Sequence, residues 1–181
     1  VIPTPLPTHI TAIDVHYRAD DTAQAAAITF DHWQSPTPIE QVTIQLANIA
    51  PYIPGQFYLR ELPCIRAVLA ALARPPTLII IDGYVWLTTA TDPGLGAHLY
   101  NVLNQTTPVI GVAKTQFHNA PTAIPIIRGQ SQTPLYVTAA GIDPRAAATH
   151  IQQMHGPHRL PTLLKLADML CRRSSHPPHK T

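Results

Sequence analysis

Apolar and polar positions at the start of the chain alternate with a period of two, so that ITAIDVHY (10–17) reads as a half-buried strand. AQAAAITFDHW (23–33) and QVTIQLANI (41–49) follow as two further strands around a Ser-Pro-Thr-Pro turn, and the three predict an antiparallel meander. The period then changes. QFYLRELPCIRAVLAALAR (56–74) has its apolar residues at helical spacing, with Pro63 expected in the first turn or else bending the helix. LIIIDG (78–83) is a short continuous apolar run, as in a central strand covered on both faces. GLGAHLYNVLN (94–104) predicts a helix, PVIGVAK (108–114) another buried strand, and AIPIIRG (123–129) and PLYVTAAG (134–141) strands near the far edge. Two helices close the pattern: 143–154, opened by Asp143 and Pro144, and 161–173, opened by Pro161. The order β-β-β-α-β-α-β-β-β-α-α predicts an α/β domain on a mixed sheet, single from 1 to 173, with SSHPPHKT (174–181) as a disordered tail.

Composition narrows the class. The chain has 181 residues and 45% hydrophobic content, enough for one sizeable core, and its mean hydropathy is +0.05. No apolar run approaches the roughly 18–20 residues that cross a bilayer, so a soluble, cytoplasmic protein without a membrane partner is expected. The opening VIPTPLPT has neither an initiator Met nor the features of a secretory signal, and is expected to be a processed or trimmed end. Cys64 and Cys171, far apart in sequence, are expected to be reduced thiols. A formal charge of +2 does not by itself establish a nucleic-acid partner. Arg145, Arg159, Lys165, Arg172 and Arg173 crowd the C-terminal stretch, which suits either solvated faces of the terminal helices or a phosphate-binding surface.

Against this sparse charge, certain acids stand out. Only 10 residues are acidic, two of them Glu, and an unpaired carboxylate within an apolar segment costs several kcal/mol or gives up its charge. Asp14 lies in the first strand and Asp82 at the end of the fourth, neighbours if those strands pair in parallel. Glu61 lies near the start of the helix between them, and Asp168 on the last helix. Together they would make a hard, oxygen-rich site suited to Mg²⁺ or Mn²⁺, and a pair of such ions activates water against a phosphodiester. Singly, each reads equally well as a cap, a turn residue or an ion-pair partner. Lys114, one of three lysines, ends an apolar strand, where it either neutralises a phosphate or carries its head to solvent. Tyr52, flanked by Pro51 and Pro54 in PYIPG, is either a packed aromatic under a turn or a rigid wedge for a gap in a base stack. His98 sits on a helix with no metal-binding spacing around it; HExxH, P-loop and GxGxxG patterns are all missing.

Five segments in order resemble the endonuclease V family, deoxyinosine-directed repair nucleases with an RNase H-like fold: Asp-Val-x-Tyr at 14–17, PYIPG with RE nine residues after its Tyr, LIIIDG, PVIGVAK, and RLPxxxKLAD ending at Asp168. The resemblance implies an RNase H-like mixed β-sheet flanked by helices. It implies that Asp14, Glu61 and Asp82 hold the metal, that Asp168 supports them, that Lys114 lies near the scissile phosphate, and that Tyr52 is the wedge. Gly83 and Gly111 then match glycines around the pocket whose backbone reads hypoxanthine, and His98 matches a family histidine counted among the substrate-binding residues. The implied reaction is Mg²⁺-dependent hydrolysis of DNA or RNA on the 3′ side of inosine; a monomer is expected separately, since the sequence carries no interface signature. A non-catalytic nucleic-acid binding protein, or a nuclease of altered specificity, is the alternative.

Departures cluster in one place. The family pattern DGxGxxHPR is here DGYVWLTTATDPG, with Val85 for the second glycine and no His-Pro-Arg. The following Ala-Ser-His-Leu-Gly is Gly-Ala-His-Leu-Tyr, ending at Tyr100. A branched Val85 is expected to narrow a site that glycine would leave open.

Overall fold

A computed structural model describes residues 8–89, 91–117 and 122–173, so the expected processed end at 1–7 and the expected disordered tail at 174–181 lie outside the described residues. Seven strands form one mixed sheet in the order β3-β2-β1-β4-β5-β7-β6. β1 (Ile10–Tyr17), β2 (Ala23–Phe30) and β3 (Glu40–Leu46) make the expected antiparallel meander. β4 (Leu78–Asp82) and β5 (Val109–Ala113) then run parallel to β1, and β7 (Leu135–Ala140) and β6 (Ile124–Ile126) complete the far edge antiparallel. The element order is that read from the apolar pattern, and the sheet is the RNase H-like mixed sheet flanked by helices.

α1 (Tyr58–Ala70) and α2 (Leu95–Val102) cover one face, with Cys64, Ile65, Val68, Ala97 and Leu99 packed on Ile13, Ile79 and Ile81. α3 (Pro144–Gln153) and α4 (Thr162–Arg172) cover the other, with Ala147, Ile151, Leu163 and Ala167 on Ile10, Ala12, Ile80, Ile110 and Val112. Strand alternation thus splits the chain into odd and even sets. Even-numbered positions of β1, β4 and β5 face α3 and α4. Continued by one step, the same alternation carries Asp14, Asp82 and Lys114 to the α4 side.

Boundaries differ where backbone chemistry intervenes. β2 ends at Phe30 rather than 33, because the next residues turn, Ser35 N–H donating to His32 O at 3.0 Å, and Trp33 stacks on His150 with centroids 4.5 Å apart. β3 ends at Leu46, two residues before Asn48 adopts φ +56°. Pro63 lies in the second turn of α1 instead of the first, so the helix lacks the N–H that Leu59's carbonyl would otherwise receive.

Candidate active site

The parallel register of β1 on β4 pairs Ile13 with Ile81, so the next residues along, Asp14 and Asp82, leave the sheet side by side. Lys114, one residue past β5, reaches across. Its Nζ donates to Asp82 Oδ2 at 2.8 Å and lies 3.7 Å from Asp168 Oδ1 of α4. Asp168 is also held by Arg172 one turn on, Nε to Oδ1 at 3.0 Å. Leu160, Leu164 and Ala167 wall the resulting cleft above the ends of the central strands.

Charges in this cleft are unevenly balanced. Burial, then the Asp82 charge, pushes the Asp14 carboxyl up to about 7, although Lys114 opposes them and Val15 N–H donates to Asp14 Oδ1 at 2.8 Å. Burial alone would raise Asp168, but the Arg172 hydrogen bond and the Lys114 charge hold it below the usual carboxylate range. Burial would lower Lys114; the hydrogen bond and charge of Asp82 more than offset it and raise the ammonium above its ordinary value.

Glu61 enters from the other layer. It projects from the first turn of α1, is only 6% exposed, and its Oε2 has no hydrogen-bond partner. Burial, then the Asp14 and Asp82 charges, pushes it up to about 8 against the pull of Arg60. A buried, unpartnered carboxylate oxygen is a costly feature unless something else compensates it. Among the described residues no set of three His, Cys, Asp or Glu side chains is placed to hold a metal ion as it stands. Glu61 approaches from the α1 side, near enough for the Asp14 and Asp82 charges to raise its pKa, while Lys114 pairs with Asp82.

Tyr52 stands on the turn before α1, 62% exposed, with Ile53 and Phe57 exposed beside it. A ladder of rings supports it: Tyr52 lies edge-on to Phe57 at 6.4 Å, Phe57 edge-on to Tyr17 at 5.9 Å, and the Arg60 guanidinium sits 4.0 Å over Tyr17. Of this ladder only Tyr52 stands out in the sequence, although Tyr17 closes the Asp-Val-x-Tyr segment. His98 is engaged elsewhere, stacked on Tyr58 at 3.7 Å where α2 meets α1, and burial lowers its pKa.

The two glycines expected at a base pocket differ in situation. Gly83 has φ +127° with open space where a side chain would point, and its N–H donates to Val112 O at 3.1 Å. Gly111 is buried inside β5, where a Cβ would meet Gly83 O at 2.5 Å and Val85 N at 2.9 Å; it lets the 83–85 backbone lie on the sheet. Thr138, fully buried on β7, fixes that backbone by accepting from Val85 N–H at 2.8 Å. The altered loop is well fastened. Tyr84 Oη donates to Thr115 O at 2.8 Å and accepts from Phe117 N–H at 3.0 Å, and Trp86 Nε1 donates to Ala139 O at 2.9 Å. Val85 is fully buried on the α2 side, in the core with Ile81 and Ala97, so its side chain packs beneath the loop.

A mixed sheet that sets carboxylates at the ends of two parallel central strands, with a lysine on the third and an acid on a covering helix, places the protein among the RNase H-like α/β proteins. The chain belongs to the endonuclease V family, a family of nucleases: the family model for endonuclease V matches residues 3–133. Endonuclease V of Streptomyces avermitilis is 32% identical over 193 residues, covering 95% of this chain and 82% of the relative. Its crystal structure superposes with a TM-score of 0.73 at 29% identity, over 94% of this chain and 83% of that one. The fold is also that of Ciona intestinalis endonuclease V in complex with a 24mer DNA containing an inosine followed by a ribo-adenosine, at TM-score 0.73 and 18% identity over 92% and 85% of the two chains.

Proposed function

We propose that this protein is a divalent-metal-dependent endonuclease that cuts inosine-containing nucleic acid on the 3′ side of the lesion. The observation that carries the reading is the convergence of Asp14, Asp82, Asp168 and Lys114, with a buried Glu61 whose Oε2 has no hydrogen-bond partner and which feels the Asp14 and Asp82 charges. The donor set fits a hard cation: every donor is a carboxylate oxygen, and burial, then the neighbouring carboxylate charges, push both Asp14 and Glu61 up. Asp14, Asp82 and Glu61 would hold Mg²⁺ or Mn²⁺, with Asp168 in support. The ion would supply a water nucleophile and charge stabilisation at the phosphodiester.

The chain's own groups do the rest. Lys114 offers a fixed ammonium beside the acids, suited to a non-bridging phosphate oxygen. The Tyr52 ring presents an exposed face on the turn before α1, suited to stack where a base has left the helix. The bound inosine-containing DNA of the Ciona relative supports the choice of substrate class. A role in DNA repair or in inosine-RNA processing follows from that substrate.

The test is a nicking assay on matched DNA and RNA oligonucleotides with and without one inosine, in Mg²⁺ and in EDTA, with Asp82→Ala alongside. Metal-dependent cleavage one nucleotide 3′ of inosine, lost in Asp82→Ala with binding retained, is expected. Binding without turnover in either metal would instead make the protein a non-catalytic binder.

A further inference from the structure

Arg159 does not lie on a solvated helix face. It precedes α4, and its Nη2 donates to the main-chain carbonyls of Lys114 and, at 2.7 Å, Pro134. Those carbonyls lie where β5 and β7 end: Ala113 with Tyr136 is the last pair at that end of the ladder, and the guanidinium clips the strands together one step beyond. Arg159 is itself held. The guanidinium of Arg128, 5% exposed, donates to the carbonyls of Gln152, Met154, Gly156, His158 and Arg159, fixing the whole connection from α3 to α4. Both ends of the Lys114 residue are therefore constrained. Its carbonyl is gripped by Arg159, and its Nζ sits between Asp82 and Asp168.

We propose that Arg159 is a positioning residue for the reaction, acting through Lys114: it fixes the Lys114 main chain relative to α4 and so sets where the ammonium stands. A lysine has four rotatable side-chain bonds, so an anchored main chain is what limits the volume its head explores. The grip also ties Lys114 to the connection that leads into α4, the helix bearing Asp168. The inference rests on the nuclease reading only for its catalytic consequence; the placement of Lys114 can be tested apart from it.

The experiment compares wild type, Arg159→Gln, Lys114→Ala and the double variant. The chain has only three lysines, so labelling with an amine-reactive ester read by mass spectrometry resolves Lys114 from Lys165. Wild-type Lys114 is expected to label more slowly than the exposed Lys165, and Arg159→Gln to raise the Lys114 rate several-fold with Lys165 unchanged. An unchanged ratio overturns the proposal. In steady-state cleavage, Arg159→Gln is expected to lower kcat at least about tenfold at unchanged KM, and to add nothing in the Lys114→Ala background. A further full loss on top of Lys114→Ala would show that Arg159 acts independently of Lys114. A wild-type protein that does not cleave overturns the nuclease reading alone, and the labelling ratio then decides the positioning role. Should Arg159→Gln fail to fold, Arg159→Lys, which keeps one donor at the same place, is read by the same ratio.

Discussion

Val85 is seated in the hollow that Gly96 leaves: a methyl group on Gly96 would stand 2.6 Å from Val85 Cγ2 and 3.0 Å from Val85 Cα. A second contact of the same kind joins Tyr100 to Gly141, whose Cβ would come within 2.9 Å of the tyrosine ring. Departures from the family pattern are thus coupled by volume. A larger residue at 85 meets a glycine at 96, and the loop packs inward on α2.

Gly96→Ala should therefore destabilise the protein by about 1–3 kcal/mol through overpacking. Combined with Val85→Ala the two losses should fail to add, with an interaction of about 1 kcal/mol or more. Urea denaturation of the four-member cycle checks this; strict additivity would separate the two positions.

Glu61→Gln should stabilise the metal-free protein while abolishing cleavage. The Glu61 carboxyl is raised to about 8 and Asp14 to about 7, each above its ordinary value. The folded state then binds more protons than the unfolded one between about pH 4 and 8, so wild-type stability is full below that window and falls as pH rises through it. In EDTA the loss should be on the order of a few kcal/mol and flatter in Glu61→Gln. Added Mg²⁺ should restore the wild-type midpoint most at high pH. Thermal melts from pH 5 to 9 decide it, and a pH-independent wild-type midpoint would contradict the uncompensated charge.

Because Tyr52 is mostly exposed, Tyr52→Ala should leave the urea midpoint within about 0.5 kcal/mol of wild type. Affinity for inosine-containing oligonucleotide should drop by about 1–3 kcal/mol if the ring stacks on bases. Fluorescence anisotropy measures the second quantity, and equal affinities would return Tyr52 to a role in the turn alone.

Arg128→Met should cost at least about 3 kcal/mol, since five main-chain carbonyls lose a charged donor in a buried place. Chemical denaturation tests it; a cost below about 1 kcal/mol would mean that water replaces the guanidinium.

The eleven elements were legible because each carries its own period, from the alternation of ITAIDVHY to the solid run LIIID. Asp14 and Asp82 were legible as neighbours because a strand, a crossover helix and a second apolar strand favour parallel pairing. What the pattern does not carry is the layer from which a residue arrives. Glu61 reads as one more acid in a set, yet it comes from the helix layer opposite Asp168. Arg159 reads as surface charge, because a cation's binding to main-chain carbonyls leaves no trace in composition. Val85 reads as an obstruction, because its partner at Gly96 becomes apparent only when the loop is seen folded onto α2.

The cleft draws its acids from opposite extremes of the fold. Asp14 lies in the first strand and Asp168 in the last helix, which docks on β1 and β2 with Gln24 Nε2 donating to Leu170 O at 2.7 Å. A chain still emerging from the ribosome therefore lacks one wall of the site until α4 is made and seated. Any activity housed there waits on the docking of α4 against β1 and β2.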